Sequence, residues 1–221
     1  MHDQLHWTAK ARLGPVVMTG RYVTLNPLGA QHAAYLFAAT EVADVAERFA
    51  WLPELPPADV VALAAWVTEK AQSVDPLFFA VIDAASGRAV GRQALMRNDA
   101  GNGVIEIGNI YWGPGMARSR AATEALYLSM RHVFEDLGYR RFEWKCNDLN
   151  APSKVAALRF GFAPEGVFRQ HMIVKGQNRD TAWFAIIDRD WPRLQAGYEA
   201  WLAPANFDGA GQQRRRLQDC F

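Results

Sequence analysis

The hydrophobic period of the chain changes abruptly at one place, and that place restricts the fold most. Val104–Trp112 is rich in β-branched and aromatic residues and reads as a strand. The loop Gly113-Pro-Gly115 follows. From Ser119 to Leu137, Ala122, Leu126, Met130, Val133, Phe134 and Leu137 form one apolar stripe, and Gly138 stands where a left-handed helix cap belongs. Arg141–Cys146 then reads as another strand. A strand, a long helix and a strand make a right-handed crossover, so the two strands are expected to lie parallel in one sheet.

The remaining segments build around that unit. In Arg21–Leu28, Tyr22, Thr24 and Asn26 alternate with Val23, Leu25 and Pro27, the pattern of a strand. Gly29–Thr40 has helical character, and Trp51–Pro57, with three prolines, is a loop. Asp59 caps a helix whose apolar residues Val60, Leu63, Ala64, Val67 and Ala71 share one face. Leu77–Asp83, Ala89–Met96 and Val104–Trp112 are joined by turn clusters and predict an antiparallel meander. Asn150 caps a short helix stopped at Gly161. Strands Ala163–Val174 and Thr181–Asp188 flank a polar turn at Lys175–Asp180, and Trp191–Trp201 forms a last helix. The expectation is an α/β (α+β) domain over residues 21–203, with a mixed, mostly antiparallel sheet of about seven strands flanked by helices. An extension at 1–20 precedes it, and a fraying tail at 204–221 follows.

Composition excludes several functions. The 221 residues carry 24 basic and 23 acidic side chains, which gives no electrostatic support for a nucleic-acid partner. The run Arg214–Arg216 reads as a solvated tail. No segment is long and apolar enough for a membrane span or a signal peptide. Cys146 and Cys220 form no metal-binding pattern, so no metal and a reducing, cytoplasmic setting are expected.

The junction from Tyr111 to Ala125 has the makings of an anion site. The first amides of a helix lack internal partners, and the macrodipole adds roughly +0.5 charge at the same end. Arg118 and Arg120 add full charges, and Ala121 and Ala122 keep the approach open. Here the chain resembles the GNAT superfamily of acetyl-CoA-dependent N-acetyltransferases, and within it the RimJ/RimL-like branch that acetylates ribosomal-protein N-termini. Ala122-Thr-Glu-Ala125 matches the end of the superfamily's phosphate-loop pattern. Gly20-Arg-x-Val-x-Leu-x-Pro-Leu28, Glu106-Ile-Gly108, Asn150-x-x-Ser153, Gly161-Phe162 and Glu165-Gly166 match the branch, over about residues 20–192. The two loop glycines of the family are replaced by Arg118 and Arg120. In a first helical turn φ is negative, so a side chain is accommodated and the amide donors survive. The guanidinium groups can pair with phosphate.

The resemblance implies acetyl-CoA as cosubstrate and a primary amine as acceptor: a protein N-terminus, an amino acid or a small molecule. Its cofactor-binding set carries over to Ile110, Tyr111 and Trp112 on the strand, to Ala117, Arg118, Ser119, Arg120, Ala121, Ala122 and Thr123 at the helix start, and to Asn150 and Ser153. Glu106 is the first candidate for general base, and His171 the second, although Met172 stands where the branch has an acidic residue beside that position. The Ser153 hydroxyl is the candidate for protonating the leaving thiolate. Presenting a neutral lysine-type amine at pH 7 costs ~4–5 kcal/mol, against ~1 for an α-amine, so an α-amine needs less help from a base. Trp112, Trp144 and Trp183 line the acyl or acceptor pocket or, as tryptophans more often do, pack the core. A non-catalytic acyl-CoA-binding module on the same fold is the alternative. The oligomeric state is open, a homodimer included.

Overall fold

A computed structural model describes residues 7–117 and 119–221, so Arg118 lies outside the described residues. In chain order the strands are β1 (Met18–Thr19), β2 (Val23–Pro27), β3 (Leu77–Asp83), β4 (Ala89–Asp99), β5 (Val104–Trp112), β6 (Arg141–Asn147), β7 (Ala163–Val174) and β8 (Gln177–Ile187). The helices are α1 (Ala33–Ala38), α2 (Val45–Phe49), α3 (Val60–Lys70), α4 (Arg120–Arg131), α5 (Ala151–Arg159) and α6 (Trp191–Leu202). The strands form one sheet in the order β1-β2-β3-β4-β5-β6-β8-β7. Among the described residues, only β5 and β6 pair in parallel, as the crossover through α4 requires.

Strand alternation gives the sheet two faces. Phe79, Val81, Leu95, Ile105, Ile107 and Phe142 point to one face, where α4, α5 and α6 cover them in the main core. Phe78, Ala80 and Ala94 point to the other, beneath α1 and α3. Asp59 caps α3 as expected, its carboxylate accepting the Ala62 amide at 2.7 Å. Gly138 takes φ +63° after α4, which ends in a π-type turn over His132–Asp136 instead of continuing as α-helix to Leu137.

Three expectations change. Helix α2 was not signalled by the sequence: five residues are too few to show a period. The polar turn expected at Lys175–Asp180 shrinks to Lys175-Gly176, with φ of 51° and 74°. That pair of positive values suits a two-residue hairpin, so residues 177–180 are strand. The expected fraying of residues 204–221 is also corrected. Leu217 is 1% exposed, and the Phe221 ring lies 5.3 Å from that of Tyr198. Charged neighbours hid these few apolar anchors. The N-terminal segment is likewise held, with the Lys10 amide donating to Ala100 and the Tyr139 hydroxyl to the Ala11 carbonyl.

Replacing Leu217 by Ala should therefore cost about 2–5 kcal/mol, as for a core leucine. Urea unfolding measures it, and an unchanged midpoint would mean that the tail does not belong to the core.

Candidate active site

Strands β5 and β6 pair from Val104–Arg141 to Ile107–Trp144 and then part. The cause lies on the other edge of β5. Arg92 pairs with Tyr111 and Ala94 with Gly108, so Asn109 and Ile110 together oppose Gln93. That extra residue is a β-bulge, and Asn109 takes φ +49° to make it. The Arg92 guanidinium donates to the Asn109 carbonyl at 2.7 Å. Beyond Ile107, the edge of β5 that faces β6 has no strand partner among the described residues. Such an edge can receive the amides of an extended ligand.

The tryptophans sort by face. On the α4 face, Phe160 from the end of α5 fills the gap, with ring centroids 6.0 Å from Trp112 and 6.2 Å from Trp144. Trp112 also donates to Gln93 at 3.1 Å, and Ile110 packs against the main core. Tyr111 turns to the opposite face, where it stacks on Phe49 and its hydroxyl donates to the Ala39 carbonyl. Trp112 and Trp144 are thus packing residues, whereas Trp183 stands in a charged cluster on that opposite face.

The start of α4 has the expected form. The Ser119 hydroxyl accepts the Ala122 amide at 3.3 Å and donates to the Met116 carbonyl at 2.8 Å. Among the described residues, the amides of Gly115, Arg120 and Ala121 have no protein acceptor. Unpartnered amides at a helix start can receive an anion. Ala117 is exposed, Ala121 is partly buried, and Ala122 and Thr123 are buried. Beside this turn lies a cavity of about 410 Å³, bordered by Arg21, Tyr22, Gly115, Ser119, Arg120 and Ala121. The Arg120 guanidinium lies over the Tyr22 ring at 4.4 Å and that of Phe207 at 5.5 Å, which holds it at the rim. Its φ is not in the left-handed region, so no glycine is needed there.

One cation was missed. Arg159 at the end of α5 donates to the Thr123 hydroxyl at 3.2 Å, and burial lowers its pKa. No ion pair engages it among the described residues. A basic residue in a last helical turn is ordinary in sequence, so nothing flagged it. Glu124 of the matching motif turns away from this site. Its two oxygens accept the amides of Arg21, Tyr22 and Val23 at 2.8, 2.5 and 2.8 Å.

The proton-transfer candidates flank the strand separation on its two faces. Ser153 sits on the α4 face, accepting the Trp144 indole at 3.0 Å and placing its own amide on the Asn150 side chain at 3.1 Å. Asn150 is therefore the cap of α5. Glu106 lies on the opposite face, 4% exposed. Lys145 Nζ is 3.0 Å from it and Arg97 Nε 3.3 Å. The ion pairs continue through Glu143, 2.7 Å from Lys145, to Arg141 at 2.7 Å. Burial pushes the Glu106 carboxyl above its ordinary pKa, and Lys145 and then Arg97 oppose that rise. Lys145 also lies 3.7 Å above the Trp183 ring. His171 shares this face but is bonded to Thr181 at 2.9 Å. Desolvation, then Arg97, Arg179 and Lys145, lower its pKa and keep it neutral near pH 7. At the hairpin tip, Lys175 donates to the Phe49 carbonyl at 3.0 Å, bridging the two loops beside this face.

Comparison with known proteins agrees with this fold. The model of the acetyltransferase (GNAT) domain family matches residues 23–163. The chain is similar to a GCN5-related N-acetyltransferase from Brucella melitensis, at 57% identity and TM-score 0.95, over 97% of this chain and 98% of that one. It is also similar to an acetyltransferase of the GNAT family from Chromobacterium violaceum, at 35% identity and TM-score 0.78, over 86% and 94%. A microcin C7 self-immunity acetyltransferase, solved with acetyl-CoA and AMP, shares the fold at 20% identity and TM-score 0.64, over 76% and 93%. No curated protein sequence matches.

Lys145 holds down the proton affinity of Glu106, so Lys145→Met should move the Glu106 titration to higher pH. Carboxyl-carbon NMR of the labelled protein reads the midpoint. A midpoint that stays in place would mean Lys145 does not act on Glu106.

Proposed function

The chain belongs to the GNAT acetyltransferase family, and we propose that it moves the acetyl group of acetyl-CoA onto a primary amine where β5 and β6 part. The observation that carries this reading is the pairing of two sets of unpartnered backbone groups. One is the free edge of β5 after Ile107, and the other is the first turn of α4. An extended thioester arm ending in a pyrophosphate needs both, in that order along the chain.

Each residue then has a task. The amides of Arg120 and Ala121 receive the pyrophosphate, and Arg118, Arg120 and Arg159 supply charge around it. The backbone of Ile110, Tyr111 and Trp112 receives the amide-bearing arm. Ala117, Ser119, Ala122 and Thr123 shape the turn, Ser119 by capping it. Bound acetyl-CoA supplies an activated acyl carbon. Glu106 takes a proton from the acceptor ammonium, and the freed amine forms the new C–N bond as the C–S bond breaks. Burial makes Glu106 a stronger base than an exposed carboxylate, and Lys145 and Arg97 oppose that rise. On the other face Ser153 accepts from Trp144 and stands beside Cys146; its hydroxyl gives a proton to the departing thiolate and regains one from the newly acylated nitrogen. His171 is a second base, neutral but engaged by Thr181. The motifs from Gly20 to Gly166 favour the RimJ/RimL-like branch, a protein N-terminus, amino acid or small-molecule amine as acceptor, and a cytoplasmic enzyme.

Isothermal titration should show acetyl-CoA binding to the wild type, abolished by Ala121→Glu, which places bulk and negative charge on the wall of the anion cavity. Absence of binding by the wild type would sink the proposal. Glu106→Gln should lower kcat by about 10²–10⁴ at pH 7 while acetyl-CoA affinity stays within about twofold. With Glu106 as base, the rate should rise with pH as its carboxyl ionises. Loss of affinity in step with kcat would assign Glu106 to binding instead.

A further inference from the structure

The face that carries Glu106 also holds a cavity of about 230 Å³ that the chemistry above leaves unused. Its walls include Phe49, Leu55, Ala62, Leu63 and Trp66, and Arg92 closes its inner end. Arg92 is 4% exposed. Its guanidinium lies 4.3 Å over the Trp66 ring, one arm donating to Asn109 and the other to Glu54. Its charge is answered by Glu54, and both arms are engaged. What Arg92 offers a guest is therefore its flat face. A ligand carboxylate or phosphate would have to compete with Glu54.

Resting on the acetyltransferase reading, we propose that this cavity is the acceptor's specificity pocket, and that the acceptor carries a neutral aromatic group close to its primary amine. Size supports this. A dry cavity of about 150 Å³ accommodates benzene, so this one takes a phenyl or an indole ring. The surroundings support it too. Trp66 meets Phe78 edge to face at 5.4 Å, Phe49 stacks on Tyr111 at 4.9 Å, and a guanidinium face favours a π-system over an alkyl chain. Position supplies the spacing. Arg92 bonds Asn109, two residues along β5 from Ile107, where the strands part. The bulge at Asn109 makes that step shorter than two extended residues, which puts the ring a short alkyl spacer from the amine. An aryl-alkyl amine, an aromatic amino acid and a peptide beginning with one all offer this chemistry.

The test measures binding and turnover separately. Isothermal titration into CoA-saturated protein compares phenethylamine, phenylalanine and a Phe-Ala-Ala peptide with ethylamine, alanine and an Ala-Ala-Ala peptide. In at least one matched pair the aromatic member should bind at least tenfold tighter, and the pair that shows it identifies the source. Ala62→Trp, at an exposed position on the pocket wall, should bring that pair to parity and leave CoA affinity unchanged. Equal binding within every pair would overturn the proposal, and so would a preference that survives Ala62→Trp. Turnover of the same six compounds with acetyl-CoA keeps the two readings apart. Preferential aromatic binding without turnover of any amine leaves the pocket standing and removes the acetyl transfer. Turnover without aromatic preference does the reverse.

Discussion

The separation of β5 from β6 begins with a single residue in the wrong half of conformational space. Asn109 at φ +49° inserts an extra residue against Gln93 and re-aims the end of β5. The bulge is held from one face by the buried Arg92, which accepts charge compensation from Glu54 and gives a hydrogen bond to the Asn109 carbonyl. From the other face Phe160 occupies the gap between Trp112 and Trp144. A left-handed non-glycine residue is costly, and it persists only where neighbours over-determine it. Here they do, and the product is an open strand edge inside a folded protein. Glu106 and Ser153 stand on either side of that edge, so a reaction across it has separate places for an incoming and an outgoing proton.

The second constraint is the Glu124 carboxylate. Three backbone amides of the turn before β2 converge on it from a distant part of the sequence. A carboxylate is the side chain best suited to accept several N–H groups at once. Gly20 has no side chain for the same reason, since a Cβ there would come within 2.5 Å of the Glu124 carboxyl. The clamp ties the first strands to the helix whose amino end faces the anion cavity. It fixes where that helix starts relative to Arg21 and Tyr22, and Tyr22 in turn supports Arg120. A residue of the motif most suggestive of cofactor binding therefore serves the position of the helix and touches no part of the cavity.

The sheet, the crossover and the caps were legible because they rest on periodicity and on residues with one strong local preference. Asp59, Asn150 and Gly138 all take the places their chemistry suggests. The unpartnered amides at the start of α4 were legible for a similar reason, since they follow from any helix start. Relations between distant residues were not. Nothing near Arg159 announces Thr123, nothing near Glu124 announces the turn at Arg21, and the partners of Glu106 come from β4 and β6. Several residues shared with the RimJ/RimL-like branch have local structural tasks here. Gly161 takes φ +87°, Asn150 caps α5, and Glu165 pairs with Arg141. Such residues transmit a fold more readily than a substrate.

The hydrogen bond between Lys175 and the Phe49 carbonyl has a consequence for shape. It joins the tip of one arm of the sheet to the end of α2, across the face where Glu106 and Trp183 lie. A space crossed by such a bridge is topologically a ring. A molecule with a free end can be threaded through a ring, whereas a loop anchored on both sides cannot enter until the ring is opened. For the proposed reaction, an amine on a free end meets this ring differently from one on a closed loop, a distinction of connectivity and not of chemistry.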